Sequence, residues 1–363
     1  MAKDAGNGKG VIRLGFDWGT NTSVLKTEKD DAPFKLKEEV CFTVVGYPKE
    51  TVLPGILPKG KSLLFGQEAI DHRAYVDLVW PLDKSYKSGF LKDEKSAKDF
   101  AHHLRDVIDA DHKNEVWASI GAPANADGQM TKDLRRCVMD AFERVVLAPE
   151  PFLAALGYRD DAKAGQQGYM DPVRHSLFVD IGAGTTDICL VQGYFPNREE
   201  QTSLNAAGNA VDAELRKLVN RKYPDANMTG VRVTQVKEQN SFVGPAAKKV
   251  EVTYTVSGRS RKLDLTEEVR QACESIMTPI LDAIIALIPK ADPDLADDVL
   301  RNIIVTGGGS LIGGIVPYIE GRLHDAGMAT AKVRGVENYK ELVALGALKM
   351  ARKVRDDQWQ YPM

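Results

Sequence analysis

Two stretches far apart in the chain repeat one pattern: an apolar strand ending in an aspartate, a turn of small residues, and a second apolar strand. The first is LGFDWGTNTSVL at residues 14–25, the second is VDIGAGTTDICLV at 179–191, and both read Asp-x-Gly-x-x-Thr. Any fold for this chain must therefore contain two equivalent hairpins. The repeat predicts an ancient internal duplication whose halves have diverged in sequence.

The pattern around each copy predicts alternating strands and helices, which is typical of α/β folds. A length of 363 residues suits two domains. Short strand-like runs mixed with Pro and Gly at about 33–90, and a more polar stretch at about 200–262, predict a small inserted subdomain in each half. Beyond the two hairpins, we expect strands at 116–124 and 299–305 and helices at 95–114, 130–147, 149–158, 276–289 and 341–354.

The composition excludes several classes of protein. The net charge is −3, so nothing favours binding to nucleic acid. The four cysteines are scattered without a CxxC pair, which argues against zinc. The first ten residues, MAKDAGNGKG, lack the apolar run of a secretory signal and cannot form an amphipathic anchor. We therefore expect a cytoplasmic protein without direct membrane insertion, a core helix at 276–289, and a solvated C-terminal tail, RDDQWQYPM.

Both turns are suited to bind phosphate, because a turn without side chains lets backbone N–H groups approach an anion closely. The P-loop pattern GxxxxGK[ST] is absent from the sequence. A carboxylate beside a polyphosphate needs an intervening cation, and Mg²⁺ takes few carboxylates together with waters and phosphates. Asp17 and Asp180 are therefore candidate Mg²⁺ residues through water. A third glycine-rich element, TGGGSLIGG at 306–314, follows another apolar strand.

Together, the motifs DWGTNT, DIGAGTTD and TGGGSLIGG resemble the actin superfamily, which includes actins, chaperone ATPase domains and sugar kinases. The resemblance covers nearly the whole chain. DIGAGTTD is similar to the bacterial actins, and VVGYPK, RAYVDLVWPL, EPFLAALGY and VKEQNSFVG resemble the actin-like filament proteins of magnetotactic bacteria. The resemblance implies an α/β, duplicated actin-like (ribonuclease H-like) fold of two lobes, each with a core and a smaller inserted subdomain, and a nucleotide cleft between them. Lobe I would span 1–155, with 341–363 returning to it, and lobe II would span 156–340.

The resemblance also implies an ATPase that binds ATP or ADP with Mg²⁺. Its nucleotide-binding residues would be Asp17, Gly19, Thr20 and Asn21 in the first loop, Asp180, Gly182, Ala183, Gly184, Thr185 and Thr186 in the second, Gly208 near the sugar, Lys237 and Glu238 as the clamp on base and ribose, and Gly307, Gly308, Gly309 and Ser310 as the adenosine motif. Two positions depart from conventional actin. The first loop has Val24 and Leu25 where actin has a lysine, and Ala183 stands where actin has an acid. Bacterial members commonly lack both.

Glu150 is the candidate for orienting the hydrolytic water. It precedes Pro151 at a predicted helix start, where the helix dipole favours an ionised carboxylate. The alternative is that it only caps its helix. The resemblance implies that Glu150 matches the residue that orients the attacking water in bacterial actins, with Asp180 as a second catalytic position. Asp187 either assists through a second water or is a strand-edge carboxylate.

Three functions are compatible with ATP chemistry at such a site. A filament-forming ATPase is favoured, and the resemblance implies a cytoskeletal homopolymer linked to magnetosomes or similar cargo through adaptor proteins. A small-molecule kinase acting on a sugar or acid is the alternative, although no acceptor-activating motif is evident. A chaperone-type switch is weaker, because little sequence follows the last predicted helix. The loop VLPGILP at 52–58 is either a filament contact or a locally buried loop.

Overall fold

The computed structural model describes residues 9–30, 32–82, 93–124, 126, 128–256 and 258–361. The first eight residues, where we expect no signal, and the end of the predicted 33–90 subdomain lie outside this range. The strands are β1 (Val11–Trp18), β2 (Thr22–Lys29), β3 (Ala32–Pro33), β4 (Val40–Phe42), β5 (Val45–Pro48), β6 (Leu64–Phe65), β7 (Val76–Val79), β8 (Glu115–Ala122), β9 (Arg144–Pro149), β10 (Ser176–Ile181), β11 (Thr186–Val191), β12 (Gln201–Leu204), β13 (Glu251–Val256), β14 (Arg259–Asp264), β15 (Ile303–Thr306) and β16 (Val333–Gly335). The helices are α1 (Gly66–Asp71), α2 (Glu94–Ile108), α3 (Gly128–Val138), α4 (Glu150–Tyr158), α5 (Gly208–Lys222), α6 (Gly230–Asn240), α7 (Thr266–Glu274), α8 (Met277–Leu287), α9 (Ala296–Leu300), α10 (Ile315–Asp325) and α11 (Tyr339–Ala351).

The chain divides into two compact units. Unit 1 comprises Met1–Ala122, Ala126–Tyr158 and Glu341–Met363, and unit 2 comprises Pro123–Asn125 and Arg159–Lys340. Each unit has its own hydrophobic core, built on one main sheet and the helices packed against it.

The main sheets of the two units share one topology. The order is β3-β2-β1-β8-β9 in unit 1, where β4 also pairs with β2, and β12-β11-β10-β15-β16 in unit 2. In each, the first strand of the hairpin pairs antiparallel with the second and parallel with the strand on its other side. The two copies of the Asp-x-Gly-x-x-Thr motif therefore occupy equivalent hairpins in the main sheets of the two units. A smaller sheet, β6-β5-β7, forms within the stretch predicted as the first subdomain, and β13-β14 forms at the end of the second and extends to Asp264.

In unit 1, glycines allow the backbone of α11 to pack directly against β1 and α4. A Cβ added to Gly15 on β1 would lie 2.1 Å from the carbonyl oxygen of Ala344 on α11. A Cβ on Gly157 of α4 would lie 2.0 Å from the carbonyl oxygen of Leu342, and one on Gly346 of α11 would lie 1.8 Å from that of Leu153. The backbones of α4 and α11 are therefore in direct contact, which fixes the position of α4.

Three elements differ from the sequence prediction. The helix expected to reach residue 114 ends at Ile108, and the helix expected at 130–147 ends at Val138, with strand β9 following. A short apolar run such as Val145–Leu147 fits a buried strand as well as a helix, because periodicity alone does not separate them. The strand expected from residue 299 begins at Ile303, because the two acids at the start of α9 favour a helix N-terminus there.

The C-terminal tail is docked, so the prediction of a solvated tail is wrong. Trp359 is only 4% exposed and packs with Val146, Ala351 and Trp117. Gln360 exchanges two backbone hydrogen bonds with Val145, of 3.0 and 3.1 Å, on the outer edge of β9. Trp359 supplies the apolar anchor that a polar tail would lack.

The stretch Thr266–Lys290 is long and apolar enough, by length and composition alone, to cross a membrane. Half of its most apolar window is buried within the protein. In α8, Ile280 and Ile284 are fully buried in the core of unit 2. The prediction of a core helix at this position is confirmed.

Candidate functional site

The candidate site residues of unit 1 lie at the carboxyl ends of three parallel strands, β1, β8 and β9. This edge of an open α/β sheet is where such folds generally bind ligands. Asp17 pairs with Val24 near the end of the hairpin, and Gly19, Thr20 and Asn21 form the turn. A Cβ on Gly19 would lie 2.4 Å from the carbonyl oxygen of Thr22, so the turn is closed too tightly for a side chain at that position.

Glu150 lies at the same edge of the sheet in unit 1. It begins α4 directly after β9, and the residue is only 9% exposed. Its side chain crosses β8 at Gly121, where an added Cβ would approach the Glu150 Cγ to 3.0 Å. The absence of a side chain at Gly121 therefore leaves room for the Glu150 side chain.

The departure from conventional actin in the first loop has a structural counterpart. Val24 and Leu25 are buried in the protein interior. The Lys26 ammonium pairs with Glu39 at 2.8 Å and with Glu341 at 3.1 Å. Burial lowers the pKa of Lys26, but the two carboxylates outweigh this and raise it overall. Lys26 is therefore engaged by carboxylates of unit 1 and does not serve as a phosphate-loop lysine.

The second turn repeats this arrangement in unit 2. Asp180 lies one residue before the end of β10, opposite Asp187. The Gly182 N–H donates to the Thr185 carbonyl oxygen at 2.8 Å, which closes the turn around Ala183 and Gly184. The Thr186 hydroxyl donates to the carbonyl oxygen of Ala206 at 2.6 Å. The turn is thus fixed by hydrogen bonds at both of its ends.

Gly307 leaves space for the carboxylate of Asp180. It follows β15, which pairs with β10 so that Thr306 lies opposite Asp180. Gly307 has a φ of +77°, and an added Cβ would lie 2.3 Å from the Asp180 Oδ1. Gly309 is equally constrained, because a Cβ there would lie 2.2 Å from the Cγ2 of Ile181. Only glycine fits at both positions.

The remaining residues of the glycine-rich element form a short turn. Gly308 begins a 3-10 turn, Gly308–Leu311, and an added Cβ there would meet nothing within 4 Å. Ser310 folds back through its hydroxyl, which donates to the Gly307 carbonyl oxygen at 2.7 Å. The open side of this turn is where an adenosine motif would face its ligand.

The start of α5 lies against the second turn. The Gly208 N–H donates to the Gly182 carbonyl oxygen at 3.1 Å, and the Asn209 N–H donates to that of Ala183 at 2.7 Å. The Lys237 ammonium donates to the Gly208 carbonyl oxygen at 3.1 Å and pairs with Asp212 at 3.0 Å. The structure therefore brings Gly182, Ala183, Gly208 and Lys237 together. Asp212, which holds the lysine, was not singled out from the sequence, where nothing links it to position 237.

Glu238 is exposed at the end of α6, next to Lys237. Burial and the Glu238 carboxylate raise the pKa of the Tyr339 hydroxyl. Tyr339 therefore lies near the predicted clamp, and no sequence pattern pointed to it.

Asp187 lies in the interior of unit 2, on a strand flanked by two others. Its Oδ1 accepts from the Ala124 N–H at 2.8 Å, and its Oδ2 accepts from the Thr185 hydroxyl at 2.5 Å. The residue is 1% exposed. Asp187 is therefore a buried bridge that holds the second turn, and it is not an edge carboxylate.

The candidate carboxylates Asp17 and Asp180 are of the type that holds a hydrated cation. Across the described residues, no three His, Cys, Asp or Glu side chains are grouped closely enough to bind a metal ion. Asp17 and Asp180 are half-buried at strand ends beside glycine turns. Mg²⁺ held by one or two carboxylates, waters and phosphate oxygens is compatible with this donor set.

Residues 73–358 match the protein family described as MreB/Mbl protein. The chain belongs to the MreB/Mbl family. The actin-like protein MamK of Magnetospirillum gryphiswaldense is 31% identical over 360 residues, which cover 99% of this chain and 94% of that protein. The actin-like protein MamK of Paramagnetospirillum magneticum is 30% identical, with 99% and 98% covered. The predicted resemblance to bacterial actin-like proteins is confirmed.

Solved structures of family members agree with the fold. The MamK double helical filament superposes with a TM-score of 0.83 at 30% identity, covering 95% of this chain and all of that chain. A non-polymerising MamK mutant bound to AMPPNP has a TM-score of 0.66 at 31% identity, with 95% and 99% covered. MreB 5 of Spiroplasma citri has a TM-score of 0.74 at 20% identity, covering 96% and 98% of the two chains. The predicted actin-like α/β fold class is confirmed.

Proposed function

We propose that this MreB/Mbl family member is an actin-like ATPase that binds Mg-ATP and polymerises into cytoplasmic filaments. The proposal depends on the repeated hairpin. In each unit, an aspartate precedes a turn of small residues at the equivalent position of the main sheet. The filament structure of MamK and the AMPPNP-bound MamK mutant support it, since both are about 30% identical to this chain.

In this proposal, the glycine-rich turns bind the nucleotide. The turns Gly19–Asn21 and Gly182–Thr186 would donate backbone N–H groups to the phosphates. Gly307–Ser310 lies along the adenosine, and Lys237 with Glu238 clamps base and ribose beside Gly208. The hydrogen bonds that hold each turn support preorganised binding, because little ordering remains to be done when the nucleotide enters.

Asp17 and Asp180 would hold Mg²⁺ through its waters. The space that Gly307 leaves at the Asp180 Oδ1 fits this role, because any side chain at 307 would displace the carboxylate. The ion neutralises charge on the phosphates when it is bound. The test is Mg-ATP and metal-free ATP titration by calorimetry with wild type and Asp180→Ala. The variant should lose the Mg²⁺-dependent gain in affinity, and a wild type with equal affinity in both conditions would contradict the metal assignment.

Glu150 would orient the water that attacks the γ-phosphate, giving ADP and inorganic phosphate. Its place at the start of α4 favours the ionised form, which is a good acceptor for a water proton. Phosphoryl transfer depends mostly on such positioning and on charge neutralisation.

Glu150→Ala and Glu150→Gln test this role against simple helix capping. We expect both to bind ATP with nearly wild-type affinity and to release phosphate about 10²-fold more slowly or worse. Thermal melting is measured alongside, because a capping residue would lower stability by about 1 kcal/mol and leave the rate of hydrolysis unchanged. Unchanged phosphate release in both variants would refute the assignment.

The predicted filament loop is partly exposed. Leu53 is 70% exposed and Ile56 44%, whereas Leu57 packs against a small core cluster. Pro54 and Gly55 fit the centre of a type II turn, with Gly55 at a φ of +85° and a hydrogen bond from the Ile56 N–H to the Leu53 carbonyl oxygen. The turn presents two apolar side chains outward, which supports contact with a second copy of the chain.

Sedimentation and electron microscopy with ATP, ADP and no nucleotide test polymerisation. Leu53→Asp should raise the concentration needed for assembly, because it places a charge in an apolar contact. Val231→Asp is the matched control, since Val231 is 65% exposed on α6. A protein that stays monomeric in all three conditions and transfers phosphate to a sugar or small acid would favour the kinase alternative.

The filament's cellular task would be to organise or position magnetosomes or similar cargo through adaptor proteins. The sequence similarity to MamK supports this assignment. Light microscopy of the tagged protein in cells tests it, since a linear cytoplasmic structure is expected and a uniform distribution is not.

A further inference from the structure

Thr43 is a fully buried residue whose polar atoms are directed at the first turn. It lies between β4 and β5, and its hydroxyl donates to the Gly19 carbonyl oxygen at 2.7 Å. Its backbone N–H donates to the Asn21 carbonyl oxygen at 3.0 Å. Its hydroxyl is also 2.9 Å from that of Ser23, which is equally buried. Thr43, which lies outside the Asp-x-Gly-x-x-Thr motif, thus makes three hydrogen bonds to the β1–β2 hairpin that carries this motif.

The direction of each hydrogen bond follows from counting hydrogens. A carbonyl oxygen only accepts, so the single hydroxyl hydrogen of Thr43 is committed to Gly19. Ser23 must therefore donate to Thr43 in the other contact. The result is an ordered chain, Ser23 to Thr43 to Gly19, with both hydroxyls shielded from water, where an unmade hydrogen bond is costly.

Fixing the Gly19 carbonyl oxygen also fixes the next N–H. A trans peptide is planar, so the carbonyl of Gly19 and the N–H of Thr20 point in opposite directions. Glycine has no side chain to restrict its own rotation, and its peptide would otherwise be among the most mobile in the turn. The Thr43 hydroxyl supplies the restriction that Gly19 lacks.

We propose that Thr43 is a positioning residue for nucleotide binding, which sets the orientation of the Gly19–Thr20 peptide so that the Thr20 N–H faces the phosphates. The inference rests on the proposed function of the turn. Thr43 also leads into β5, whose partners β6 and β7 complete the small sheet of unit 1. Thr43 therefore connects the turn to that sheet through covalent and hydrogen bonds.

Thr43→Val tests the proposal, because it keeps the shape and removes the hydroxyl. We expect the Kd for Mg-ATP to rise about tenfold, as for loss of one buried hydrogen bond. Thr43→Ser keeps the hydroxyl and should restore affinity to within about twofold. The matched control is Thr27→Val, since the buried Thr27 hydroxyl on β2 also donates to a carbonyl, that of Phe34, away from the turn.

Calorimetry with Mg-ATP and thermal melting are recorded for all four proteins. Both valine variants should lose stability, but only Thr43→Val should lose affinity. Equal affinity losses in the two valine variants, or no loss in Thr43→Val, would overturn the inference.

If Thr43→Val does not fold, Thr43→Cys replaces it, because a thiol is a weak donor. An intermediate loss is then expected, and unchanged affinity overturns the inference. Absence of binding by the wild type would overturn the proposed function itself.

Discussion

Gly346→Ala should destabilise unit 1 and slow hydrolysis together. The added Cβ would lie 1.8 Å from the Leu153 carbonyl oxygen, whereas ordinary contact begins at about 3.4 Å. The backbones of α4 and α11 would have to separate by about 1.6 Å. Overpacking of this kind costs about 1–3 kcal/mol and sometimes more. A cost of about 3 kcal/mol corresponds to a fall in Tm of about 6–12 °C for a domain of 150–250 residues.

The same displacement reaches Glu150, because this residue begins α4. A shift of about 1 Å in a positioned catalytic group can lower a rate about 10²-fold. The rate of phosphate release at saturating ATP should therefore fall by roughly 10–10²-fold. The measurement combines circular dichroism melting with a phosphate-release assay.

Gly321→Ala is the matched control. Gly321 lies inside α10, and an added Cβ would meet nothing within 4 Å. Alanine should stabilise this helix by up to about 1 kcal/mol. A Gly346→Ala protein that melts with the wild type and hydrolyses ATP at the same rate would refute the direct contact of the two helices.

Three further outcomes are expected. Gly307→Ala should push the Asp180 carboxylate aside and weaken Mg²⁺-dependent ATP binding at least about tenfold in calorimetry, since it combines a clash with an unfavourable φ. Trp359→Ala should cost about 3 kcal/mol and speed hydrogen exchange at the Val145 amide, whose partner lies in the tail; slow exchange in the variant would contradict the docking. A hydrogen bond from the Val333 N–H lowers the pKa of the Glu320 carboxyl, and a hydrogen bond from the Lys332 ammonium lowers it further. Its contribution to stability is therefore present above its unfolded-state pKa and lost as pH falls through the lower folded-state value, so Glu320→Gln should flatten the acid limb of a stability–pH curve.

The sequence was sufficient for the features encoded in short stretches. The two hairpins and the strand before the glycine-rich element follow from local periodicity and turn chemistry, and the common sheet order explains why the motif occurs twice. The structure places Asp17, Asp180, Glu150 and the glycine-rich turns at the carboxyl ends of the strands of the two main sheets, and it places Gly208, Lys237 and Glu238 on α5 and α6. Their roles toward nucleotide and metal stay predictions.

Contacts between distant residues could not be predicted in this way. Thr43 supports a turn 24 positions away, and Asp187 accepts from Ala124, 63 positions away. Neither pair has a pattern that links it along the chain. Strand β9 was missed for a related reason, since its apolar run becomes a strand only when β8 is beside it. The prediction of a solvated tail was wrong because one buried side chain, Trp359, is enough to dock a segment whose other residues are mostly polar.

The docked tail also protects the sheet from other chains. Strand β9 is the last strand of its sheet, and an open strand edge is a template for pairing with any extended segment nearby. The bridge between Val145 and Gln360 occupies part of that edge, and Arg144 extends the cover by stacking on Trp117 and Tyr361. In a protein that is proposed to assemble at high local concentration, such a cover separates ordered polymerisation from irregular β-aggregation.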